Sequence, residues 1–193
     1  MLSGVLGFGF PHPGNTCARN YVFPDMTAHL LTLPGGERFM VRPIEADDKP
    51  GISDFFARLS EESRRRRFLG PKPRLSSRDL AFLTEVDQRR HVAIVALDGA
   101  GAIVGVARYA AWVGEPERAD MAVAVVDEWH GRGLGTALGD LLVTQARASG
   151  LAALTGSTLA FNSPAKALLK RLGFRPKGIS SGVADYELAF APG

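Results

Sequence analysis

The feature that most constrains the fold of this chain is a loop of three glycines between an apolar run and an amphipathic helix. The apolar run covers Ala119 to Val126, and the glycines stand at 131, 133 and 135. After them, leucines recur at helical spacing up to Gly150. A strand that turns into a helix through glycines aims backbone N–H groups and the positive helix end at one point. The loop therefore predicts an α/β domain that binds a phosphate or pyrophosphate.

Counting positions excludes two familiar glycine motifs. A P-loop carries Lys and then Ser or Thr after its last glycine, and no lysine follows the glycines here. A dinucleotide fingerprint needs a third glycine in G-x-G-x-x-G, and the two possible readings place Thr136 or Leu138 at that position. The ligand is therefore expected to be neither a P-loop nucleotide nor a dinucleotide.

The segments before the loop predict several strands in a row. A first strand is expected in Glu37 to Ile44, followed by three short helices, the third with Ser76 or Ser77 as its N-cap. His91 to Leu97 and Ala102 to Val113 are apolar runs joined by the turn "DGAG". This pattern predicts an antiparallel hairpin, with the polar link "GEPER" leading from it to the next strand.

The segments after the loop alternate between strand and helix. A strand is expected in Leu151 to Leu159, and a last strand in Gly182 to Phe190. Between them, Ser163 is the predicted N-cap of a short helix that ends before Gly173. A run of strands followed by this alternation predicts a mixed-sheet α/β domain.

Composition limits the number of domains and the classes of partner. Residues 1–25 are rich in Gly, Pro and Asn and predict an extended arm, with Met26 as a possible start of translation and residues 26–193 as a single domain. The net charge of +3 gives no reason to expect nucleic acid as a partner. No apolar run approaches the roughly 18 residues of a membrane span. A single cysteine, Cys17, and scattered histidines predict a cytoplasmic protein without disulfides or metal.

Two stretches together carry a resemblance to a known family. "VAVVDEWHGRGLGTALGDLL" resembles the acyl-coenzyme A loop of GNAT-family N-acetyltransferases, and "FNSPAKALLKRLGF" is similar to the later helix of that family, which begins at Asn and ends in Gly-Phe. The resemblance covers roughly residues 37–190. Within the family, "RPIEADD" and "LSEESRRRRF" look most like bacterial Pat-type protein lysine acetyltransferases. The resemblance to the GNAT family implies a mixed, mostly antiparallel central sheet flanked by helices, with a splayed cleft that admits acetyl-coenzyme A as co-substrate.

The resemblance also implies which residues bind the coenzyme. Backbone amides of the glycine loop would hold the pyrophosphate, with Arg132 adding a charged contact, and the main chain at the end of the preceding strand would pair with the pantetheine arm. The first loop position is usually Gln or Arg and is His130 here, for which a polar or backbone contact is expected rather than a role as base. The predicted set is Val125, Val126, His130, Gly131, Arg132, Gly133, Leu134, Gly135, Thr136 and Asn162.

The acceptor amine must lose a proton before it can react, because a lysine with a pKa of about 10.4 is protonated near pH 7. Many family members carry a Glu for this purpose on the strand before the loop, and the matching residue here is Asp120. An ordinary carboxylate at the surface end of the strand is the alternative interpretation. Glu117 and then Glu115, placed in the preceding loop, are the next candidates. A Val125 or Val126 amide freed by a bulge would hold the oxyanion.

The family's general acid is missing from its usual place. Many members carry a Tyr within the later helix, and Leu169 occupies that position here. Tyr109 and Tyr186 are possible substitutes, although aromatic side chains on strands usually belong to the core, and solvent could protonate the thiolate instead. Cys17 is a less favoured candidate for an acyl-carrying nucleophile, because it lies in the arm.

Other polar and aromatic residues have ordinary structural interpretations. Arg64 to Arg67 point to several sides of a helix, which favours a solvated, partly salt-bridged face over a site for an acidic partner. His91 is expected to have a capping or surface role at the start of a strand. Trp112 and Trp129 are expected to be packing anchors.

The predicted activity is the transfer of an acetyl group from acetyl-coenzyme A to a primary amine by direct transfer in a ternary complex. The acceptor is either a protein lysine or a small amine, and the protein is a monomer or a homodimer. The alternative is a non-catalytic acyl-coenzyme A sensor or regulatory domain, because Asp replaces Glu at one catalytic position and Leu replaces Tyr at another.

Overall fold

Eight strands form one open sheet in a computed structural model of the chain, which describes residues 28–191. The predicted arm at 1–25, Met26 and Cys17 lie outside the described residues. The strands are β1 (His29–Thr32), β2 (Arg38–Pro43), β3 (His91–Leu97), β4 (Ile103–Trp112), β5 (Glu115–Val125), β6 (Ala153–Leu159), β7 (Arg175–Ser180) and β8 (Val183–Ala189).

Five helices cover the two faces of this sheet. They are α1 (Lys49–Arg58), α2 (Glu61–Phe68), α3 (Ser77–Thr84), α4 (Leu134–Ala148) and α5 (Ser163–Arg171). Ser76 caps α3 by accepting from the Asp79 N–H, as predicted. None of the helices within residues 28–191 is long and apolar enough to cross a lipid bilayer.

The order of strands in the sheet is β1-β2-β3-β4-β5-β6-β8-β7. Every neighbouring pair is antiparallel except β5 and β6, which are parallel. The predicted mixed, mostly antiparallel sheet and the β3–β4 hairpin are confirmed. The parallel pair has α4 as its crossover, which is the connection that parallel neighbours require.

The alternation of side chains along β4 and β5 assigns the two faces. On one face, Gly105 leaves room for Leu134 and Leu138 of α4: a Cβ at Gly105 would stand 2.7 Å from a Leu138 methyl. On the other face, Val106 and Ala124 line a pocket together with side chains of α1, α2 and α3. The start of α4 and the pocket under α1–α3 therefore lie on opposite sides of the same two strands.

The sheet splits between β5 and β6. These strands pair only where Arg118 to Asp120 lie beside Ala153 to Thr155. Beyond this point β5 runs on to Val125 with β4, and β6 runs on to Leu159 with β8, without pairing to each other. The predicted splayed cleft is therefore present, and Asp120 and Thr155 stand at its apex.

Several predicted element boundaries differ from the structure. β1 and β7 were missed, because β1 has four residues and β7 contains Pro, Lys and Gly and is exposed throughout, so neither carries an alternating pattern. β5 begins at Glu115 rather than Ala119, which places Glu115 and Glu117 in a strand instead of a loop. Asn162, not Ser163, is the N-cap of α5, because its side chain accepts from the Ala165 N–H.

Candidate active site

One edge of β5 faces the cleft with its backbone groups. The Val126 N–H donates to the Val104 carbonyl at 3.0 Å, and Val125 lies opposite Gly105. In an antiparallel ladder the residues that bond to the partner strand alternate with residues whose N–H and C=O point the other way. Val123 and Val125 therefore turn these groups towards the cleft. Val126 was also predicted to pair with the pantetheine arm and to have a free amide. Its N–H instead donates to the Val104 carbonyl of β4.

The glycine loop joins β5 to α4 beside this edge. Gly131 and Gly133 have φ values of +72° and +96°, in the left-handed region that favours glycine. The N-cap of α4 is Gly133, which has no side chain, so within the described residues the first N–H groups of the helix have no side-chain cap and are left for another partner. Leu134 is fully buried, so only its backbone can contribute to this end of the helix.

Gly135 connects the helix start to the cleft. A Cβ at this position would lie 3.7 Å from a Val125 methyl and 3.9 Å from Leu168, which are ordinary contacts, so no protein atom requires glycine here. The helix N-terminus and the free edge of β5 thus adjoin one another. Their donors fit an elongated ligand that has an anionic group at one end and an amide-containing arm at the other.

Arg132 is an exposed residue of the glycine loop, between Gly131 and Gly133. Its guanidinium stacks on the Trp129 ring at 4.9 Å, and its Nη1 is 3.7 Å from the Glu37 carboxylate. Trp129 in turn packs edge-on against buried Phe39, at a centroid distance of 4.9 Å. Trp129 is therefore a packing anchor, as predicted, whereas Trp112 is exposed under the Arg118 guanidinium.

The His130 side chain contacts the strand rather than the open loop. Its Nε2 lies 2.8 Å from the Val125 carbonyl oxygen and 3.6 Å from Asp127 Oδ1. With a proton on Nε2, the ring donates to that carbonyl and fixes the end of β5 where it borders the cleft. The contact uses a backbone oxygen five residues earlier, and no local sequence pattern marks it.

The side-chain amide of Asn162 is occupied within the protein. Its Oδ1 accepts from the Ala165 N–H at 3.3 Å, and its Nδ2 donates to Thr158 Oγ1 at 3.1 Å. The side chain is buried. Asn162 thus links the start of α5 to the end of β6 by hydrogen bonds. Its contact with a coenzyme stays a prediction.

Asp120 is the carboxylate nearest the apex of the cleft. Its strand parity places it on the side of α1–α3, opposite α4. Thr155 Oγ1 donates to its Oδ1 at 3.2 Å. Burial raises the pKa of Asp120 to about 6, and the Thr155 hydrogen bond and the positive charge of Arg67 oppose this rise. The group is therefore ionised at neutral pH and can accept a proton there.

The other candidates for proton transfer lie elsewhere. Glu117 is exposed, and its backbone carbonyl accepts from the Ala152 N–H at 2.7 Å on the paired side of the split. Tyr109 is completely buried on the α4 side, with its hydroxyl 3.4 Å from Ser149 Oγ. Tyr186 and Leu169 are also buried in the core. Among these residues, Asp120 is the one that combines burial with a place at the apex.

Two side chains differ from their sequence interpretation, and a third buried charge had no role assigned from the sequence. Arg67 does not belong to a solvated face: it lines the pocket under α1–α3, where burial lowers its pKa. His91 is not at the surface, because it is largely desolvated, its pKa falls to about 3, and its Nε2 accepts from Arg108 Nε at 3.1 Å. Arg108, for which the sequence suggested no role, is 5% exposed within an apolar strand. An arginine inside a run such as "AIVGVARYAAWV" was the available signal.

A sheet that splits beside a glycine loop at the start of a helix is the fold of acyl-coenzyme A-dependent acyltransferases. The chain belongs to the acetyltransferase (GNAT) family, whose model matches residues 56–174. The protein is accordingly an acetyltransferase that uses acetyl-coenzyme A as its acetyl donor. Within residues 28–191, no group of His, Cys, Asp or Glu side chains is arranged to hold a metal ion.

Similar proteins and structures agree with this assignment. The chain is 33% identical over 146 residues to an acetyltransferase of Pseudomonas aeruginosa, a match covering 74% of this chain and 78% of the relative. It is 29% identical to acetyltransferase Pat of Mycolicibacterium smegmatis over 72% of this chain and 41% of that protein. The GNAT domain of S. lividans PAT superposes with a TM-score of 0.81 at 28% identity, covering 88% of this chain and 100% of that domain.

Proposed function

We propose that this protein transfers an acetyl group from acetyl-coenzyme A directly to a primary amine in a ternary complex, with Asp120 as the general base. The observation that carries the proposal is the position of Asp120 at the apex of the cleft, half-buried and facing away from α4. The two substrates would then approach from opposite faces of β5. No covalent acetyl-enzyme is needed, because the amine can reach the donor through the split in the sheet.

The donor would lie along the free edge of β5 and the start of α4. Backbone N–H groups of Gly131, Gly133 and Thr136 would bind its pyrophosphate, and Arg132 is exposed enough to swing towards it. The N–H and carbonyl of Val123 and the carbonyl of Val125 would pair with the pantetheine arm as a neighbouring strand does. When bound, acetyl-coenzyme A supplies an acetyl thioester whose carbonyl carbon is open to attack by a neutral amine.

Asp120 would make the acceptor amine neutral. As an ionised carboxylate with a pKa of about 6, it takes a proton from the acceptor ammonium, directly or through a water molecule. The hydroxyl of Thr155 holds the carboxylate in place through its hydrogen bond to Oδ1. A Val125 N–H that points into the cleft would donate to the oxygen that becomes negatively charged during transfer.

The leaving thiolate would be protonated by solvent. Both tyrosines within residues 28–191, Tyr109 and Tyr186, are buried, and Leu169 occupies the family's Tyr position. A thiol with a pKa near 8.5 leaves as a stable thiolate at neutral pH, so a dedicated acid is not essential.

The acceptor is a protein lysine or a small amine. The sequence is similar to acetyltransferase Pat of Mycolicibacterium smegmatis. It is also 34% identical over 107 residues to an L-methionine sulfoximine/L-methionine sulfone acetyltransferase of Pseudomonas aeruginosa, which covers 54% of this chain and 62% of that protein. The name of the second relative gives small acceptors and the name of the first gives none, so likeness alone does not choose between the two classes.

Mass spectrometry separates this enzyme from a coenzyme sensor. The protein is incubated with acetyl-coenzyme A and a panel of lysine peptides and small amines, and acetylated products and released coenzyme A are measured together. Acetylated amine with matching thiol release supports the proposal. Tight coenzyme binding without any acetylated product would instead support the sensor.

The pH dependence of the reaction should report the ionisation of Asp120. We expect kcat/KM for the acceptor to rise tenfold per pH unit below about pH 6 and to level off above it until the amine itself titrates, because only the ionised carboxylate accepts a proton. Initial rates between pH 5 and 8.5, with stability checked at each pH, measure this rising acid limb of the pH–rate profile. A rate that is flat from pH 5 to 8 would contradict a base with this pKa.

Removing the Thr155 hydroxyl should move the same limb to higher pH. The hydroxyl donates to the ionised form of Asp120, so Thr155→Val should raise the pKa of the carboxyl and shift the limb upward by up to about one pH unit. Thr155→Ser, which retains the donor, should restore the original profile. Identical profiles for the Val and Ser variants would show that Thr155 does not position the base.

A further inference from the structure

A second charged cluster faces the acceptor side of β5. The pocket under α1–α3 is walled by apolar side chains such as Phe55, Phe56 and Phe68, and two arginines, Arg67 and Arg108, also line it. Its inner volume is about 30 Å³, which is room for a small group such as a carboxylate. On β5 it begins at Ala122, on the same face as Asp120 and about 7 Å further along the strand.

Arg108 is held in place yet incompletely paired. Its Nη2 donates to the Phe82 carbonyl at 3.1 Å and also contacts His91, and its Nε donates to His91. Its Nη1 is buried with no hydrogen-bond partner within the described part of the chain. An unpaired buried donor is costly, and more so on a charged group. The fixed guanidinium thus keeps one donor for a partner that the described residues do not supply.

Arg67 adds a second positive charge beside it. The two guanidiniums repel each other, and this repulsion and burial together lower the pKa of Arg108 to about 9, with burial the larger cause. Arg67 makes no hydrogen bond or ion pair within residues 28–191, and it attracts Asp120 only from beyond 4.0 Å. Asp120 and Asp185, whose charges act on each other, are the carboxylates near this pair, and neither forms an ion pair with Arg67 or Arg108 within 4.0 Å among the described residues. Two guanidiniums without a contacting carboxylate in an apolar setting favour the binding of an anion.

We propose that Arg67 and Arg108 form a carboxylate subsite, so that the acceptor is a small amine that carries a carboxylate, as a free amino acid does. This inference rests on the proposed function. The ammonium end of such a zwitterion would face Asp120 and its carboxylate would face the guanidiniums, which matches the order of charges along the pocket. Arginine suits this task because its planar fork can donate two hydrogen bonds to one carboxylate.

Matched acceptors test the subsite. L-Leucine is compared with L-leucinamide, and L-phenylalanine with its amide, by measuring kcat/KM at saturating acetyl-coenzyme A. The amides carry the less basic amines, so amine ionisation alone would favour them. We expect the free acids to be preferred at least tenfold. Equal rates, or faster acetylation of the amides, would overturn the carboxylate subsite while leaving the acetyltransferase proposal in place.

Variants of Arg67 show whether the preference depends on this side chain. Arg67→Gln should reduce the acid-to-amide preference about 30-fold or remove it, as loss of one partner of a desolvated charge pair does. Arg66→Gln, the same change at a neighbour that pairs with Glu62, should retain it. Thermal unfolding checks the fold of each variant, and Arg67→Lys replaces Arg67→Gln if the latter is unstable. A preference that survives the loss of Arg67 would contradict the assignment.

Binding distinguishes failure of the subsite from failure of the proposed function. If no amine is acetylated, the acetyltransferase proposal fails, and calorimetry with the coenzyme A complex then compares L-leucine with L-leucinamide. Tighter binding of the acid that is lost in Arg67→Gln would still support a carboxylate subsite. Equal affinities would overturn it.

Discussion

Asp120→Asn is expected to lower kcat by about 10²–10⁴-fold while leaving the affinity for acetyl-coenzyme A unchanged. The substitution keeps the size of the side chain and its contact with Thr155, and removes only the ability to accept a proton. Acetyl transfer is measured at saturating acceptor, and coenzyme binding is measured by calorimetry. The acid limb of the pH–rate profile should disappear together with the activity.

The stability of this variant gives an independent check. Because the pKa of Asp120 is higher in the folded state than in the unfolded chain, the folded state binds the proton more tightly, and ionisation costs stability as pH rises from about 4 through 6. Asp120→Asn should therefore unfold at the same or a higher temperature than the parent protein at pH 7 to 8. A loss of activity accompanied by lower stability would point to a structural role.

Two further substitutions complete this test. Asp140→Asn makes the same change on the exposed side of α4 and should leave kcat within about twofold. Glu117→Gln removes the other carboxylate on β5 that the sequence suggested as a base. If Glu117→Gln lost activity and Asp120→Asn did not, the role of base would pass to Glu117.

Gly133→Ala is expected to raise KM for acetyl-coenzyme A about tenfold or more, with a smaller effect on kcat. Gly133 has a φ of +96°, and a Cβ there would meet no atom within 4 Å, so the cost comes from backbone conformation. An L-residue in the left-handed region costs about 1–2 kcal/mol, and relief of that strain turns the loop N–H groups away from the phosphate. Initial-rate kinetics with varied coenzyme measure the effect.

Gly101→Ala is the matched control for this strain. Gly101 lies in the β3–β4 turn with a φ of +81° and similarly open surroundings. The two variants should lose similar amounts of unfolding free energy, and only Gly133→Ala should weaken coenzyme binding. An equal rise of KM in both would mean that general destabilisation, not the loop, causes the effect.

Locally encoded features of the fold were predictable from the chain. Three features depend on residues close in sequence, so their patterns could be recognised from the sequence. They are the Ser76 cap, the hairpin turn between β3 and β4, and the run from β5 through the glycines to α4. The position of Asp120 on the strand before the loop followed from the family resemblance. Its pKa did not, because it depends on burial in the folded protein and on Thr155 and Arg67, which are distant in sequence.

Features that depend on contacts between distant elements were missed or misplaced. The weakly patterned strands β1 and β7 exist through their pairing with β2 and β8. The Val126 amide was expected to be free, and it donates to β4 instead. The His130 ring contacts the Val125 carbonyl, and its predicted contact with the coenzyme stays a prediction. The side-chain amide of Asn162 is hydrogen-bonded to Thr158 and Ala165, and its contact with the coenzyme stays a prediction.

The sequence by itself determined the class of this protein: a mixed-sheet acetyltransferase with a glycine loop between a strand and a helix and a carboxylate on that strand. Only the tertiary structure decided which charged side chains lie near the apex of the split sheet. Arg67 comes from a helix that reads as a solvated basic face, Arg108 from the middle of an apolar strand, and Asp120 from a third segment. Their charges act on one another because packing of α2 against the split sheet excludes water between them, and sequence spacing does not encode that proximity.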